Sequence, residues 1–178
     1  MSQGVTDRVV AISCEASDVL DPNAQLIELA AVTVQHGRIT GEQFHALLNP
    51  QTPIPRSGTV YHGHSQASLA DCPVWRNVAA AWMAHVQGAQ LMVWNANFHL
   101  RMLDRAQRRA GLPAMHTMVA GITDLRELLR NANDQQPMRR QDALNAHGIH
   151  HNKEVDLPMA SAHALAQLWL TISDRHRP

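Results

Sequence analysis

The 178-residue chain has only two cysteines, Cys14 and Cys72, and they form neither a CxxC pair nor a spaced framework. That excludes a disulfide scaffold and points to free thiols in a reducing compartment. Cys14 lies inside an apolar run and reads as a small core residue. Long hydrophobic runs are also missing. No segment approaches the length needed to cross a bilayer, and the opening MSQGVTDR has no apolar signal core. The expectation is a cytoplasmic protein without membrane contact. An excess of charge of one sign is absent too, because 15 Lys and Arg balance 15 Asp and Glu. Global charge therefore does not advertise a nucleic-acid partner, although a local groove can be basic on a neutral chain.

What is present is ordinary for a folded domain: 45% apolar and 17% charged residues, over a length that buries one sizeable core. There is no internal repeat, linker or low-complexity segment, so residues 1–178 read as one domain with a core from about 8 to 172. Twelve histidines are many for this length. Either several titrate together or several are idle on the surface.

Residues 8–14 predict a short buried strand. Residues 25–50 predict two strands joined by a turn at HGR. In the first of these, Leu26, Glu28, Ala30, Val32 and Val34 would line one face, and Ile27, Leu29, Ala31 and Thr33 the other. Both faces are largely apolar, as in a strand covered on both sides. The proline-rich NPQTPIPRSG predicts loop. A helix over 74–88 ends at Gly88, a strand follows over 90–94, and a helix over 95–113 stops at Gly111. Residues 117–130 pass from a short strand or loop into a helix. Residues 139–149 predict a short helix, and 156–172 the last one, with Pro158 in its first turn. This order predicts an α/β fold with a mixed sheet flanked by helices.

Several segments then match a known pattern in order and spacing. LDPNAQLIELAAVTVQHGRITGEQFHALLNPQTPIP looks like a strand pair followed by an Asn-Pro and Ile-Pro loop. VYHGHS is similar to a Val-His-Gly-Ile-Thr segment, LMVWNANFHLRML to LVAHNAxFDxxFL, TDLRELLR to DTLxLAR, and DALNAHGI to DALCxRLGI. His151 stands five residues before Asp156. Together these resemble the DEDDh-type 3′–5′ exonucleases, the epsilon-subunit-like family with a ribonuclease H-like fold, from about residue 8 to residue 172.

The resemblance implies two-metal cleavage of a phosphodiester, with Mg²⁺ or Mn²⁺ held by carboxylate oxygens. It implies an Asp and a Glu from the first strand, spaced i and i+2 so that both face one side. It implies a second Asp on the helix after HNAxF, a third on the last helix, and a His that takes a proton from water. Carried over residue by residue, Glu15, His151 and Asp156 are retained, with His150 as an adjacent competitor for the general base. Ser13 and His99 stand where the pattern has Asp. The formal carboxylate charge of the site falls from minus four to minus two. Two close divalent cations then lack the anionic charge that offsets their repulsion. The implied metal ligands are Glu15 and Asp156, with His99 as a softer nitrogen candidate. A single Zn²⁺ or Mn²⁺ site built from Glu15, His99, His151 and Asp156 is chemically plausible.

The turn after Glu15 also departs from the family's Thr-Thr-Gly. Ala16, Ser17 and Asp18 stand where that turn meets the terminal nucleotide. With His62, and with Asn95 of the WNANFH segment, Ala16 and Ser17 are the implied substrate contacts. Tyr61 and His62 either stack on a base or pack within a loop. Trp94 replaces the family's histidine and either packs or fills part of the cleft. His99, Met102, Leu103, Ala106 and Ala110 form a helical stripe, on which His99 reads as a half-buried core histidine or a ligand. Arg101, Arg105 and Arg108 form a stripe opposite, either tracking a phosphate backbone or lying solvated with an Asp104–Arg108 pair. Arg139 and Arg140, just before the DAL segment, are equally open.

The expected function is an exonuclease-family protein with a degraded two-metal site. Such a protein would be inactive or weakly active and would bind single-stranded DNA or RNA 3′ ends or a protein partner, including a second copy. The alternative is an active nuclease with an altered metal site, in which Asp18 or Asp21 supplies a repositioned carboxylate.

Overall fold

The computed structural model describes residues 7–18, 21, 23–132, 136, 138–150 and 158–174. The chain opens with β1 (Val9–Ala16), β2 (Leu26–Gln35) and β3 (Arg38–Leu47). Strand β1 pairs antiparallel with β2, and β2 with β3. The β2–β3 hairpin turns on His36 and Gly37, both at positive φ (52° and 71°). That geometry matches the right-handed twist of the two strands it joins.

The 49–55 stretch is loop as predicted, but the end of the expected loop is helical. Helix α1 (Arg56–His62) starts directly after Pro55. Proline ends the extended segment and leaves the following residues free to turn into a helix. Then come α2 (Trp75–Val86), β4 (Gln90–Val93), α3 (Ala96–Arg109), β5 (Gly121–Asp124), α4 (Leu125–Ala132), α5 (Arg140–Ala146) and α6 (Pro158–Asp174). Strand β4 pairs parallel with β1, and β5 parallel with β4. The sheet order is β3-β2-β1-β4-β5.

Two apolar layers enclose this sheet. On one face, Val10, Ile12 and Cys14 of β1 meet Trp75, Trp82, Met102 and Leu103 from α2 and α3. On the other, Val9 and Ala11 with Ala30 and Val32 meet Leu125, Leu144, Leu165 and Leu168 from α4, α5 and α6. Each fully buried Val, Leu, Ile or Met side chain among these contributes about 1.5–3 kcal/mol relative to exposure. Leu26 departs from the simple alternation read from sequence. The pairing shifts between Glu15 and Ala16, and Leu26 joins the α2–α3 layer beside Ala16. A bulge adds one residue to a strand and so turns the following side chains to the other face.

The parallel strands β1, β4 and β5 all end at the same edge of the sheet. Strands lie to either side of β1, and the chain leaves the ends of β4 and β5 directly into α3 and α4. Sites in open α/β sheets form at such carboxyl edges, where neighbouring connections diverge.

Candidate functional site

Glu15 lies one residue from the end of β1, and Ser13 two residues earlier on the same face. Glu15 pairs directly with Glu28 of β2, and Ser13 with Ala30. Directly opposed residues of an antiparallel pair have Cβ atoms about 4.5–5.5 Å apart, so two carboxylates share this patch of sheet.

Glu28 is not open to a ligand. Its side chain is only 4% exposed, and both oxygens are taken: Oε1 lies 2.8 Å from His45 Nε2 and Oε2 lies 2.9 Å from His64 Nε2. Each imidazole N–H donates to the carboxylate, which a carboxylate this deeply buried needs. The clamp ties β2 and β3 to the segment just after α1. His64 in turn donates its backbone N–H to His62 Nδ1 (3.1 Å), and the two rings stack with centroids 5.7 Å apart. Burial lowers the pKa of His62, which favours the neutral ring.

His99 sits at the start of α3 and is buried, 6% exposed. Its Nδ1 lies 3.1 Å from Cys14 Sγ. Cys14 is on the α2–α3 face of β1, opposite to Ser13 and Glu15, so His99 is turned toward the core layer. Burial and then the nearby Glu15 charge raise the Cys14 thiol well above its usual range. The thiol is therefore protonated and donates to Nδ1. Burial first, and Arg140 second, lower the His99 pKa to about 4, while the Trp94 backbone accepts from the ring. His99 is thus a neutral, doubly engaged core histidine on the face away from Glu15, and two members of the four-residue zinc or manganese set read from sequence, His151 and Asp156, lie outside the described residues.

Ala16 is fully buried, and the Ser17 hydroxyl accepts the Gln25 N–H at 3.0 Å. What this turn presents to α1 is backbone. A Cβ built on Gly58 would stand 2.2 Å from the Ser17 carbonyl oxygen, so α1 is seated directly on the turn. Val60 and Tyr61 project from α1 into solvent, 79% and 67% exposed. Asn95, at φ 71°, links β4 to α3. Its N–H and that of Ala96 donate to Asp124 at 3.1 and 2.7 Å, and the Arg126 N–H adds a third bond at 2.9 Å. Asp124 thereby fixes the starts of α3 and α4 at once.

Sequence reasoning passed over His45, His64 and Asp124. The available signal for the clamp was Glu28 itself, an acid inside a strand with two apolar faces. Asp21 is exposed and accepts the Asn23 N–H at 2.7 Å, so it closes a local turn. Asp104 accepts the Met115 N–H at 2.8 Å, and Arg105 donates to the Ala24 carbonyl at 2.6 Å. Both therefore hold loops and do not form the plain solvated stripe. His150 is exposed, and His151 and Asp156 lie outside the described residues.

Hard divalent cations want several oxygen donors. Among the described residues Glu15 is the one family carboxylate, and no group of three or more His, Cys, Asp or Glu is placed to hold a metal ion. The described donors do not by themselves fit a pair of such cations.

An exonuclease family model, RNase_T, matches residues 10–156. The chain belongs to this exonuclease family. It is similar to the DNA polymerase III subunit epsilon of Pasteurella multocida, 30% identical over 152 residues, which cover 83% of this chain and 59% of that protein. The chain therefore spans less than two thirds of that curated relative. Its fold is similar to that of Escherichia coli exonuclease I in complex with a dT13 oligonucleotide, with TM-score 0.81 and 14% identity over 96% of this chain and 42% of that one. It is also similar to exonuclease X in complex with 5′ overhanging duplex DNA, with TM-score 0.68 and 18% identity over 95% and 92% of the two chains. The five-stranded mixed sheet with helices on both faces is the ribonuclease H-like exonuclease fold that the sequence predicted. No helix among the described residues is long and apolar enough to cross a membrane.

Proposed function

We propose that this exonuclease-family chain has lost most of its two-metal catalysis and binds single-stranded nucleic-acid ends. The observation that carries the reading is the orientation of His99. At the second carboxylate position the side chain is neutral, buried and bound to Cys14, and at the first the chain has the hydroxyl of Ser13. A neutral donor cannot offset the repulsion between two divalent ions. With the family's cation requirement, the remaining ligands are Glu15 and Asp156, with His151 as the residue for proton transfer. Support for nucleic-acid binding comes from the exposed Tyr61 on α1, a platform on which a base can stack. It also comes from the DNA-bound state of the two exonucleases that share this fold.

The active-nuclease alternative gains one observation, the carboxylate of Glu28 opposite Glu15. It loses it again because His45 and His64 occupy both oxygens. The test is digestion of 3′-labelled single-stranded DNA and RNA with Mg²⁺ and with Mn²⁺, alongside anisotropy titration of the same oligonucleotides. Salt-sensitive binding with negligible turnover supports the reading. Robust turnover abolished by Glu15→Gln overturns it, and absence of binding leaves a protein-interaction module instead.

A further inference from the structure

A groove lies on the α2–α3 side of the sheet, the side away from Ser13 and Glu15. It has a volume of about 390 Å³. Leu26, Trp75 and Ala106, members of the core layer on that side, form its floor with Val74 and Ala110. Arg76, the second residue of α2, and Arg109, the last of α3, also line it, and both are exposed. Neither guanidinium has a hydrogen bond or ion pair among the described residues. Arg105, one turn earlier on α3, is by contrast committed to the Ala24 carbonyl. The start of α2 opens into the same groove. Its N-cap, Val74, makes no side-chain bond, and its first turn holds no acid. The N–H groups of such a turn carry partial positive charge, which adds to that of the arginines. One wall is fixed in advance. Asn49 donates its N–H to the Pro73 carbonyl at 3.0 Å and Nδ2 to the Ala70 carbonyl at 2.8 Å, and its Oδ1 accepts the Gln51 N–H at 2.9 Å. A wall held this way lowers the ordering cost of binding.

An apolar floor with a polar, charged edge is the anatomy of a protein-recognition site. Charge selects the partner, because two unpaired guanidiniums and a helix N-terminus favour carboxylates, which the planar guanidinium holds in pairs. The floor selects against a nucleic-acid strand. Trp75, the aromatic residue of the lining, is 9% exposed and donates Nε1 inward to Gln107 at 3.2 Å, so no ring face is offered to a base. Leu26, Val74 and Ala110 suit a branched aliphatic side chain instead. We propose that this groove docks an acidic peptide segment of a partner protein. An aliphatic side chain of that segment lies against Leu26 and Val74, and flanking carboxylates meet Arg76 and Arg109. The proposal does not depend on the nucleic-acid reading, since the groove and Glu15 lie on opposite sides of the sheet.

The experiment is fluorescence-anisotropy titration of the full chain against a fluorescein-labelled peptide, Glu-Asp-Ile-Leu-Asp-Glu. Two control peptides replace its acids by their amides or its Ile-Leu pair by serines. Expected is saturable submillimolar binding of the first peptide and clearly weaker binding of both controls. Arg76→Gln with Arg109→Gln should weaken it at least about tenfold, the scale of lost charge-assisted hydrogen bonds. Arg101→Gln with Arg108→Gln removes the same charge from exposed positions of α3 outside the groove and should leave binding unchanged. An unlabelled single-stranded oligonucleotide should not displace the peptide. Absence of saturable binding, equal binding of either control peptide, or equal weakening by the second arginine pair would each overturn the proposal. Displacement by the oligonucleotide would also overturn it and assign the groove to the path of a nucleic-acid strand. Oligonucleotide binding that persists without peptide binding would strike the groove alone and leave the proposed function standing.

Discussion

His99 Nδ1 lies 3.1 Å from Cys14 Sγ, on the face of β1 opposite Ser13 and Glu15. A residue that the family pattern places beside metal ions is instead part of the apolar layer under α3. Its chemistry is that of a buried neutral base, and this has a measurable consequence for stability.

The folded-state pKa of His99 is about 4, below the ordinary value near 6.5. Between those two values the unfolded chain binds a proton that the folded chain refuses. Stability from this residue is complete above about pH 6.5 and is lost as pH falls toward 4. The expected loss between pH 7 and pH 5 is about 2 kcal/mol. His62 and His85, also lowered by burial, act in the same direction. The diagnostic is therefore the difference between parent and His99→Phe in urea titrations at the two pH values, with the variant showing the flatter profile. Equal pH slopes in the two proteins would contradict the buried neutral assignment.

The clamp on Glu28 gives a second expectation. His64→Ala leaves Oε2 of a buried carboxylate without its donor, and a buried polar group left unsatisfied costs about 1–3 kcal/mol, more where it is charged. Glu28→Gln is expected to cost less, because a histidine tautomer can accept from the new amide. Denaturant midpoints of the two variants should rank in that order. Because His64 follows α1 so closely, hydrogen exchange across α1 should quicken in His64→Ala.

A third expectation concerns Gly58. Its missing side chain is a matter of space, because a Cβ there would meet the Ser17 carbonyl oxygen at 2.2 Å. Backbone atoms cannot rotate aside as a side chain can. Gly58→Ala should therefore lift α1 from the β1–β2 turn at a cost of about 1–3 kcal/mol, the scale of overpacking. Gly41→Ala is the control, since a Cβ there meets nothing within 4 Å. Thermal melts of the two variants decide it. If α1 carries a stacking platform, oligonucleotide affinity falls with Gly58→Ala as well.

Most of the fold was legible because it rests on period and punctuation. The two-faced apolar run of β2, the glycine stops at Gly88 and Gly111 and the proline-rich loop each have a local physical cause. Helix α1 was not legible, because seven residues, Arg56–His62, carry too little periodicity to stand out after a loop rich in proline. Leu26 was misread because a bulge is a property of the pairing, invisible in one strand. For the site, the family resemblance implied the positions Ser13, Glu15 and His99, and strand alternation in β1 puts the first two on one face. The direction in which His99 points was not legible, since the thiol of Cys14 competes for the ring only once β1 and α3 are packed. The His45–Glu28–His64 clamp joins residues on two strands and the segment after α1, which no local spacing records.

Repair of the two missing carboxylates tests how far the cleft has drifted. Ser13→Asp adds a carboxylate on the same face as Glu15, two residues along the strand, where alternation aims both side chains one way. His99→Asp removes the ring that caps Cys14 and supplies an oxygen donor from the start of α3. Neither change alone restores the charge needed to hold two divalent ions, so each single variant should remain near the parent rate. The double variant should gain Mg²⁺-dependent release of nucleotides from a 3′-labelled strand, and Glu15→Gln in that background should abolish the gain. The seating of α1 on Ser17 sets the limit on recovery. Its backbone contact leaves no slack for the turn at Ala16–Asp18 to reshape around a terminal nucleotide. A double variant that binds metal by calorimetry yet cleaves nothing would place the remaining defect in that turn rather than in the ligands.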